Sequence, residues 1–377
     1  MTTRVVVIGA GIAGAAAAHR LVDSCEVVLV EMESQAGYHA TGRSAATLSE
    51  TSGSPAVCAL AAASRPFFVD PPDESFGGGL LRPRGLLWVA DEEWHGALDD
   101  LGAVAASIGV RAERLDARAA AEIVPVLRPE WVAGALHEPD AMSIDVARLL
   151  DGFLTSFRHK GGTVRLATPT IAAEFVGSTW RVRVTDSPTG NDDTIECDAV
   201  VDAGGAWADD LARRSGVTPI GLRPLRRTAF LFPVDGAERW PLVMDVGSRF
   251  YFEPEGPGLL ASPAEETLVE PCDAQADELA MAQATDALAE ATTLRVRGVR
   301  SSWAGLRTFA PDRVPVVGPD PDHPGWFWLA GQGGAGIKTA PAMAEALAAL
   351  VLGEAFPTSL TDLGLTAEHL AADRFRR

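Results

Sequence analysis

Two short β-branched runs, Arg4–Ile8 and Glu26–Val30, flank an alanine-rich stretch, Ile12–Val22. Apolar runs without alternation predict strands buried on both faces, as in a parallel sheet, and the stretch between them predicts a helix. Beyond Glu31 the pattern does not continue into a third strand–helix unit. A polar loop, Gly37–Glu50, is predicted to pass into a helix, followed by the irregular insert DPPDESFGGGLLRPRG, a strand over Gly85–Ala90 and helices over Leu98–Ile108 and Ala117–Ile123. SIDVARLLDGFLTSFRHKGG reads as an amphipathic helix, with Ser143 or Asp145 near its cap and Gly161 past its end. The strands TVRLAT, TIAAEFV, TWRVRVT and TIECDAVVDAGG come next, the last read as one buried strand running into Gly204 and Gly205. From Gly221 to Arg300 the signals are antiparallel: RRTAFLFPV, then RFYFEPE joined through Gly256-Pro257-Gly258 to LLASPA. A strand, GWFWLAG, a glycine-rich loop, GQGGAGIKTA, and a helix over Pro341–Leu352 close the pattern.

This order predicts a mixed α/β fold. A Rossmann-like domain is assembled from residues 1–50, 141–220 and 295–377, and an antiparallel-sheet domain, 51–140 and 221–294, is inserted into it. Between the first strand and helix stand Gly9, Gly11 and Gly14. Gly9 allows a tight turn, Gly11 lets a pyrophosphate approach the backbone, and Gly14 permits close helix-to-strand packing, while the helix N-terminus offers free N–H groups. Glu31, ending the second strand, stands where a carboxylate would hold ribose hydroxyls, and an acid there argues against a 2′-phosphate. One complete glycine fingerprint lies before residue 100 and no second nucleotide-binding unit follows.

Charge and cysteine content narrow the partners. A formal net charge of -19 opposes binding to nucleic acid and anionic membranes. Cys25, Cys58, Cys197 and Cys272 form no CxxC pair or metal cluster, and no apolar run spans a bilayer. A cytoplasmic protein without a metal is expected.

The segments IGAGIAGA, GYHATGRSAA, AASRPFF, IVPVLR, DAGGAW, RRTAF, RFYFEP, WAGLRTFAPDRVPVVG and GQGGAGIKT, in this order, resemble the FAD-dependent D-amino acid oxidase superfamily. The resemblance is strongest to its D-arginine dehydrogenase-like branch, with glycine and sarcosine oxidases as wider relatives. It implies FAD, held non-covalently, with Gly9, Gly11, Ile12, Ala13, Gly14, Glu31 and Met32 at the first loop and Arg43 and Ser44 near the pyrophosphate. Thr170 would lie near the adenine, with Ala203, Gly204 and Trp207 under the cofactor. Thr41, Ala45, Thr47, Gly305, Gly334, Gly336, Ile337, Lys338 and Thr339 complete the expected set. The last loop, Gly331–Thr339, would reach the flavin ring, where a helix N-terminus and Lys338 favour negative charge on reduced flavin. "HATG" looks somewhat like stretches whose histidine is bonded to flavin in some relatives, which makes His39 a position to inspect; no cysteine follows Cys272 to form a cysteinyl link.

The resemblance implies oxidation of a Cα–N bond by hydride transfer to flavin N5. Arg307 suits the carboxylate because a guanidinium is a planar, permanently charged fork. Arg227 and Tyr251 fall where further carboxylate contacts are carried, and strand alternation turns Arg226 to the other face as a solvated neighbour. A backbone carbonyl within Gly331–Gly334, Gly333 in particular, would orient the amine. Leu86, Ser52 and Ala335 depart from the D-arginine branch: an acid, a lid tyrosine and a larger aromatic are each replaced by less charge or bulk. A wider, more apolar pocket is expected, taking a neutral or apolar D-amino acid or a bulkier amine-bearing carboxylate and disfavouring D-arginine. The alternatives are a 2-hydroxy acid dehydrogenase, for which only His39 offers a base, a sarcosine- or glycine-type amine oxidase, and a flavoprotein without turnover. The electron acceptor would be oxygen, a quinone or another carrier.

Overall fold

In the computed structural model, which describes residues 2–186 and 190–376, the first strand is central to a six-stranded sheet. Arg4–Ile8 pairs in parallel with Glu26–Val30 on one side and Ala199–Asp202 on the other. Thr163–Arg165 extends one edge; Trp326–Ala330 and then the antiparallel Val316–Pro319 extend the other. Alternate residues of the first strand feed two separate cores. Val5 and Val7 pack with the Ile12–Leu21 and Gly336–Leu352 helices, whereas Val6 and Ile8 pack with Trp180, Trp326 and Trp328. This two-sided burial is why the run carries no polar alternation.

Three segments differ from the sequence reading. The stretch after Gly37 forms turns and the two-residue strand Thr47–Leu48, not a helix; the helix starts at Pro55, where the Ser54 side chain accepts from Val57 N–H and proline occupies the first turn. TIECDAVVDAGG is split between two sheets. Asn191–Cys197 joins a three-stranded antiparallel sheet with one exposed face, and Ala199–Asp202 enters the central sheet fully buried. Asp198 at the break accepts the Arg4 N–H at 2.8 Å. The closing helix begins at Gly336 and carries Pro341 inside it. The adjacent Ala342 N–H donates to Ser64 Oγ at 3.1 Å, outside the helix ladder that a proline interrupts.

The second large sheet has nine strands and is mostly antiparallel. Its hub is Arg223–Pro233, which pairs with Ser301–Phe309 from Arg223 opposite Phe309 to Leu231 opposite Ser301. This register sets Arg227 opposite Gly305 and Leu225 opposite Arg307, so Arg227 and Arg307 are diagonal neighbours on one face. Gly258–Ser262 and Tyr251–Pro254 continue the same floor. Among the described residues no helix is long and apolar enough to cross a membrane.

The first glycine turn is fixed by contact. Gly9 has φ +102°, and a Cβ there would stand 2.5 Å from Ala203 O; a Cβ on Gly14 would stand 1.9 Å from Gly9 O, and on Gly11 it would meet only Thr41 Oγ1, at 3.3 Å. Gly14→Ala is therefore expected to cost about 3 kcal/mol or more through forced separation of helix and turn. Gly11→Ala should leave the melting temperature within a few degrees. Thermal denaturation of the two apoproteins compares them directly.

Candidate active site

A groove with a cavity volume of about 200 Å³, open to solvent along part of its length, runs from the second strand to the loop before the closing helix. Gly9, Gly11, Ile12, Ala13, Glu31, Met32, Thr41, Arg43, Thr170, Ala203, Gly204, Trp207, Gly305, Thr308, Gly333 and Gly336 line it. Glu31 is buried, and its two oxygens accept Ala10 N–H at 2.7 Å and Glu33 N–H at 3.0 Å. Burial pushes its pKa up against the opposing pull of those two donors. The Ile12 N–H, in the first turn of the helix, donates to Thr41 Oγ1 at 3.0 Å, so the 37–43 loop is tied to the glycine turn. Arg43 ties the same loop to the opposite wall. Its Nη1 donates to Ala274 O and Ala304 O at 3.0 and 2.9 Å, and Nη2 pairs with Asp273.

A second, connected cavity holds the chemistry-bearing side chains. Arg227, Ala229, Tyr251, Leu260, Arg307, Gly333, Gly334 and Ile337 line it, and Ile12, Thr41, Arg43, Gly305 and Gly336 face both spaces. Arg307 Nη2 donates to Tyr251 Oη at 3.4 Å, and among the described residues no carboxylate lies within 4.0 Å of its guanidinium. Arg227 is differently held: Nε donates to Glu265 O at 2.8 Å and Nη2 reaches Glu266 Oε1 at 3.4 Å. Burial first, then the charge of Arg307, lowers Arg227 to about 10, which leaves it protonated near neutrality. Arg226 does face the other side, but it is paired with Asp277 and is not a solvated neighbour.

Several expected positions lie away from both cavities. Lys338 is buried within the closing helix and donates to Ser49 O, Ser52 O and Ser52 Oγ at 2.8, 2.7 and 2.6 Å. That engages the Ser52 hydroxyl, and neither side chain lines the two cavities; burial lowers Lys338 to about 8. Leu86 is fully buried in the core behind Tyr251 and Leu260. Ala335 caps the closing helix with its N–H on Gln332 O, and Thr339 Oγ1 turns back to Ala335 O. Thr47 lies in the short strand against Ser143. Ser44 and Ala45 line the Arg307 cavity and a further one behind it, not the long groove. His39 faces the groove, with Nε2 2.9 Å from Glu33 Oε1 and its ring against Trp207.

Sequence reasoning missed Glu253 and Arg84. Alternation along Tyr251–Pro254 places the Glu253 side chain on the Tyr251 face, a signal that was available in the sequence. Burial pushes its carboxyl up to about 7, against the pull of Arg84, whose Nε is 3.9 Å away.

A parallel sheet with a glycine turn, abutting an antiparallel sheet that supplies an arginine pair, defines an oxidoreductase-type site with a long nucleotide groove. The chain belongs to the DAO family of FAD dependent oxidoreductases, whose family model matches residues 4–350. Glycine oxidase of Pseudomonas putida is 28% identical over 374 residues, covering 94% of this chain and 95% of that protein. D-amino acid dehydrogenase of Cereibacter sphaeroides is 30% identical over 304 residues, covering 77% and 65%. Among solved structures, glycine oxidase from Geobacillus kaustophilus superposes with TM-score 0.81 at 23% identity, covering 97% of this chain and 99% of that one. The likeness extends to L-α-glycerophosphate oxidase from Mycoplasma pneumoniae with FAD bound, at TM-score 0.81 and 17% identity, covering 93% and 95%.

The groove suits FAD on its own evidence. Gly11 leaves its backbone open, and Thr170 Oγ1 and Thr308 Oγ1 are buried in the lining without a partner. A buried hydroxyl without a partner is a cost that a polar ligand removes. Thr170→Val and Thr308→Val should accordingly weaken FAD binding by about fivefold each, from about 1 kcal/mol per lost hydrogen bond, while leaving the apoprotein at least as stable. Titration of apoprotein with FAD, followed by flavin fluorescence, measures the first effect, and thermal denaturation the second.

Glu253 generates a stability prediction of definite sign. Its folded pKa, about 7, lies above the ordinary value of 4.5, so between those values the folded state holds the extra proton. Stability from this group is full below about pH 4.5 and falls as pH rises through 7. Glu253→Gln should match the parent protein in acid and exceed it at pH 8 by a few kcal/mol at most. Urea denaturation at the two pH values reads the difference.

Proposed function

We propose that this protein oxidises the Cα–N bond of an α-amino acid with a neutral side chain, giving an imino acid. The observation that carries the reading is Arg307: a guanidinium in a cavity beside the cofactor groove, hydrogen-bonded to Tyr251 and without a protein carboxylate. A substrate carboxylate satisfies that charge bidentately, and the Tyr251 hydroxyl adds a donor. Arg227, diagonal to Arg307, raises the positive potential and is kept from collapsing inward by its bonds to Glu265 and Glu266. Ala229, Leu260 and Ile337 give the remaining wall an apolar character, which supports a neutral side chain over a charged one. The glycine-oxidase and D-amino-acid-dehydrogenase relatives support the same reaction class.

FAD, when bound, would supply the two-electron acceptor for the hydride that leaves Cα. The chain's own contribution is orientation and charge: Arg307 and Tyr251 fix one end of the substrate, and a carbonyl of the Gly331–Gly334 loop, that of Gly333 in particular, receives an amine N–H. No side-chain base is required, because the substrate amine sheds its proton to solvent before reaction. Turnover should thus rise with pH until the free amine predominates. We further propose that the cofactor is held non-covalently, and that the segments 1–50, 141–220 and 295–377 form the cofactor domain, with 51–140 and 221–294 as the substrate domain, save that Ser301–Phe309 pairs into the second sheet and the Pro55–Val69 helix packs on the core of the first.

The deciding experiment is anaerobic mixing of the FAD-loaded protein with a panel of D- and L-amino acids and 2-hydroxy acids. Bleaching of flavin absorbance by amino acids is the expected outcome; bleaching by hydroxy acids alone defeats the proposal. Arg307→Ala should lower kcat/KM by about a hundredfold or more, the loss of a charge-assisted bidentate contact. Arg307→Lys should recover only part of it, because a point charge does not reproduce the fork. Steady-state kinetics across the three proteins provides the comparison.

A further inference from the structure

Behind the loop 41–46 lies a third cavity, bounded by Ser143, the start of the Val146–His159 helix and the Tyr251–Pro254 strand. It shares Thr41, Ser44 and Ala45 with the Arg307 cavity. The floor is continuous as well: Glu253 faces this third space, and its cross-strand partner Leu260 faces the Arg307 space. Glu253 is two strand residues, about 7 Å, beyond Tyr251 on the same face.

Glu253 is 5% exposed, yet among the described residues no N–H or O–H is hydrogen-bonded to its carboxyl group. Its charged neighbour Arg84 approaches only to 3.9 Å through Nε, and that N–H is already donated to Ser143 Oγ at 2.8 Å. The two terminal nitrogens of Arg84 have no acceptor among the described residues. The pair therefore presents, side by side, an acceptor lacking a donor and donors lacking an acceptor. Glu255, Arg82 and Asp145 also border the cavity. Asp145 caps the helix by accepting from Arg148 N–H, and the Arg82 side chain is 75% exposed, so neither completes the pair.

We propose that Glu253 and Arg84 form the distal subsite of the substrate pocket and select amino acids whose side chain ends in a carboxamide or ureido group. The N–H of such a group donates to the Glu253 carboxyl group, and its carbonyl accepts from Arg84. A hydrocarbon side chain leaves both groups unsatisfied; a cationic end can pair with Glu253 only against the charge of Arg84, and an anionic end with Arg84 only beside the Glu253 carboxyl group, whereas a neutral group that both donates and accepts satisfies the two together. This rests on the proposed amino acid oxidation, because the carboxylate held by Arg307 sets the direction in which the side chain points.

The test pairs kinetics with binding. The FAD-loaded protein is mixed anaerobically with D- and L-glutamine and citrulline, and with methionine and norleucine of similar reach. Calorimetric titration then compares glutaramate, which has no Cα–N bond to oxidise, with the alkanoate bearing an isopropyl group in place of the carboxamide. Glutamine or citrulline should reduce the flavin faster than the hydrocarbon-ended substrates, and glutaramate should bind more tightly than its isostere, by about tenfold or more, as two polar groups regain partners. Glu253→Leu removes a buried ionisable group and should fold; it should shrink both ratios by about that factor or invert them. Arg84→Met should shrink them independently. If amino acids bleach the flavin but both ratios are near one, or both variants leave them unchanged, the subsite is refuted while the reaction stands. If no amino acid bleaches the flavin, the reaction itself is refuted, and glutaramate selectivity still decides whether the subsite exists.

Discussion

A guanidinium without a protein counter-ion is the constraint around which this molecule is arranged. Arg307 is half-buried between two sheets, beside a second arginine and against a tyrosine hydroxyl. Removing such a charge from water costs several kcal/mol unless something answers it, and no carboxylate among the described residues is in contact with it; Glu266 acts on it only from a distance. Arg227, its diagonal neighbour on the same face, donates to the Glu265 backbone carbonyl and reaches the Glu266 carboxylate at 3.4 Å. The asymmetry separates a structural arginine from one left open for an anion.

That open charge depends on long-range register. The Arg223–Pro233 and Ser301–Phe309 strands are far apart in sequence, and their pairing alone makes the two arginines neighbours. The same pairing places Gly305 where it lines both cavities, so the strand that carries the cation also forms a wall of the cofactor groove. Arg43 then stitches the 37–43 loop to Ala304 and Ala274, and through them the glycine turn to the second sheet. One-residue slippage in this ladder would turn Arg307 outward and bring Leu306 into its place.

How much of this was legible in the sequence follows from the range of the interactions involved. The glycine turn and the strands on either side of it carry local signals, an apolar run and a fixed glycine spacing, and they stand where that pattern put them. The Asp145 cap was readable for the same reason. Ser52, Leu86 and Lys338 were harder: each was placed by position along a motif, whereas its direction is set by partners on other elements, such as the three oxygens that capture the Lys338 ammonium. Splitting of TIECDAVVDAGG between two sheets was hidden because a buried run gives no sign of which sheet it joins. Glu253 was within reach, since strand alternation alone puts it beside Tyr251, but an acid following an aromatic in a strand looks like an ordinary solvent-facing residue until its burial is known.

The overall charge and the local charge act in opposite directions, and together they favour one kind of ligand. At -19 the surface repels anions at distances up to about a Debye length, roughly 8–10 Å at physiological salt, while the Arg307–Arg227 corner attracts them at contact. A dianion meets the unfavourable field before it feels the favourable one. A zwitterion with a neutral side chain carries no net charge through that field, and only inside the cavity does its carboxylate separate electrostatically from its amine. The far end, where the Glu253 carboxyl group, titrating at about 7, lies 3.9 Å from Arg84, is reached beyond the Arg307–Arg227 corner. Discrimination there falls to hydrogen bonding and shape, so the pocket reads charge at one end and polarity at the other.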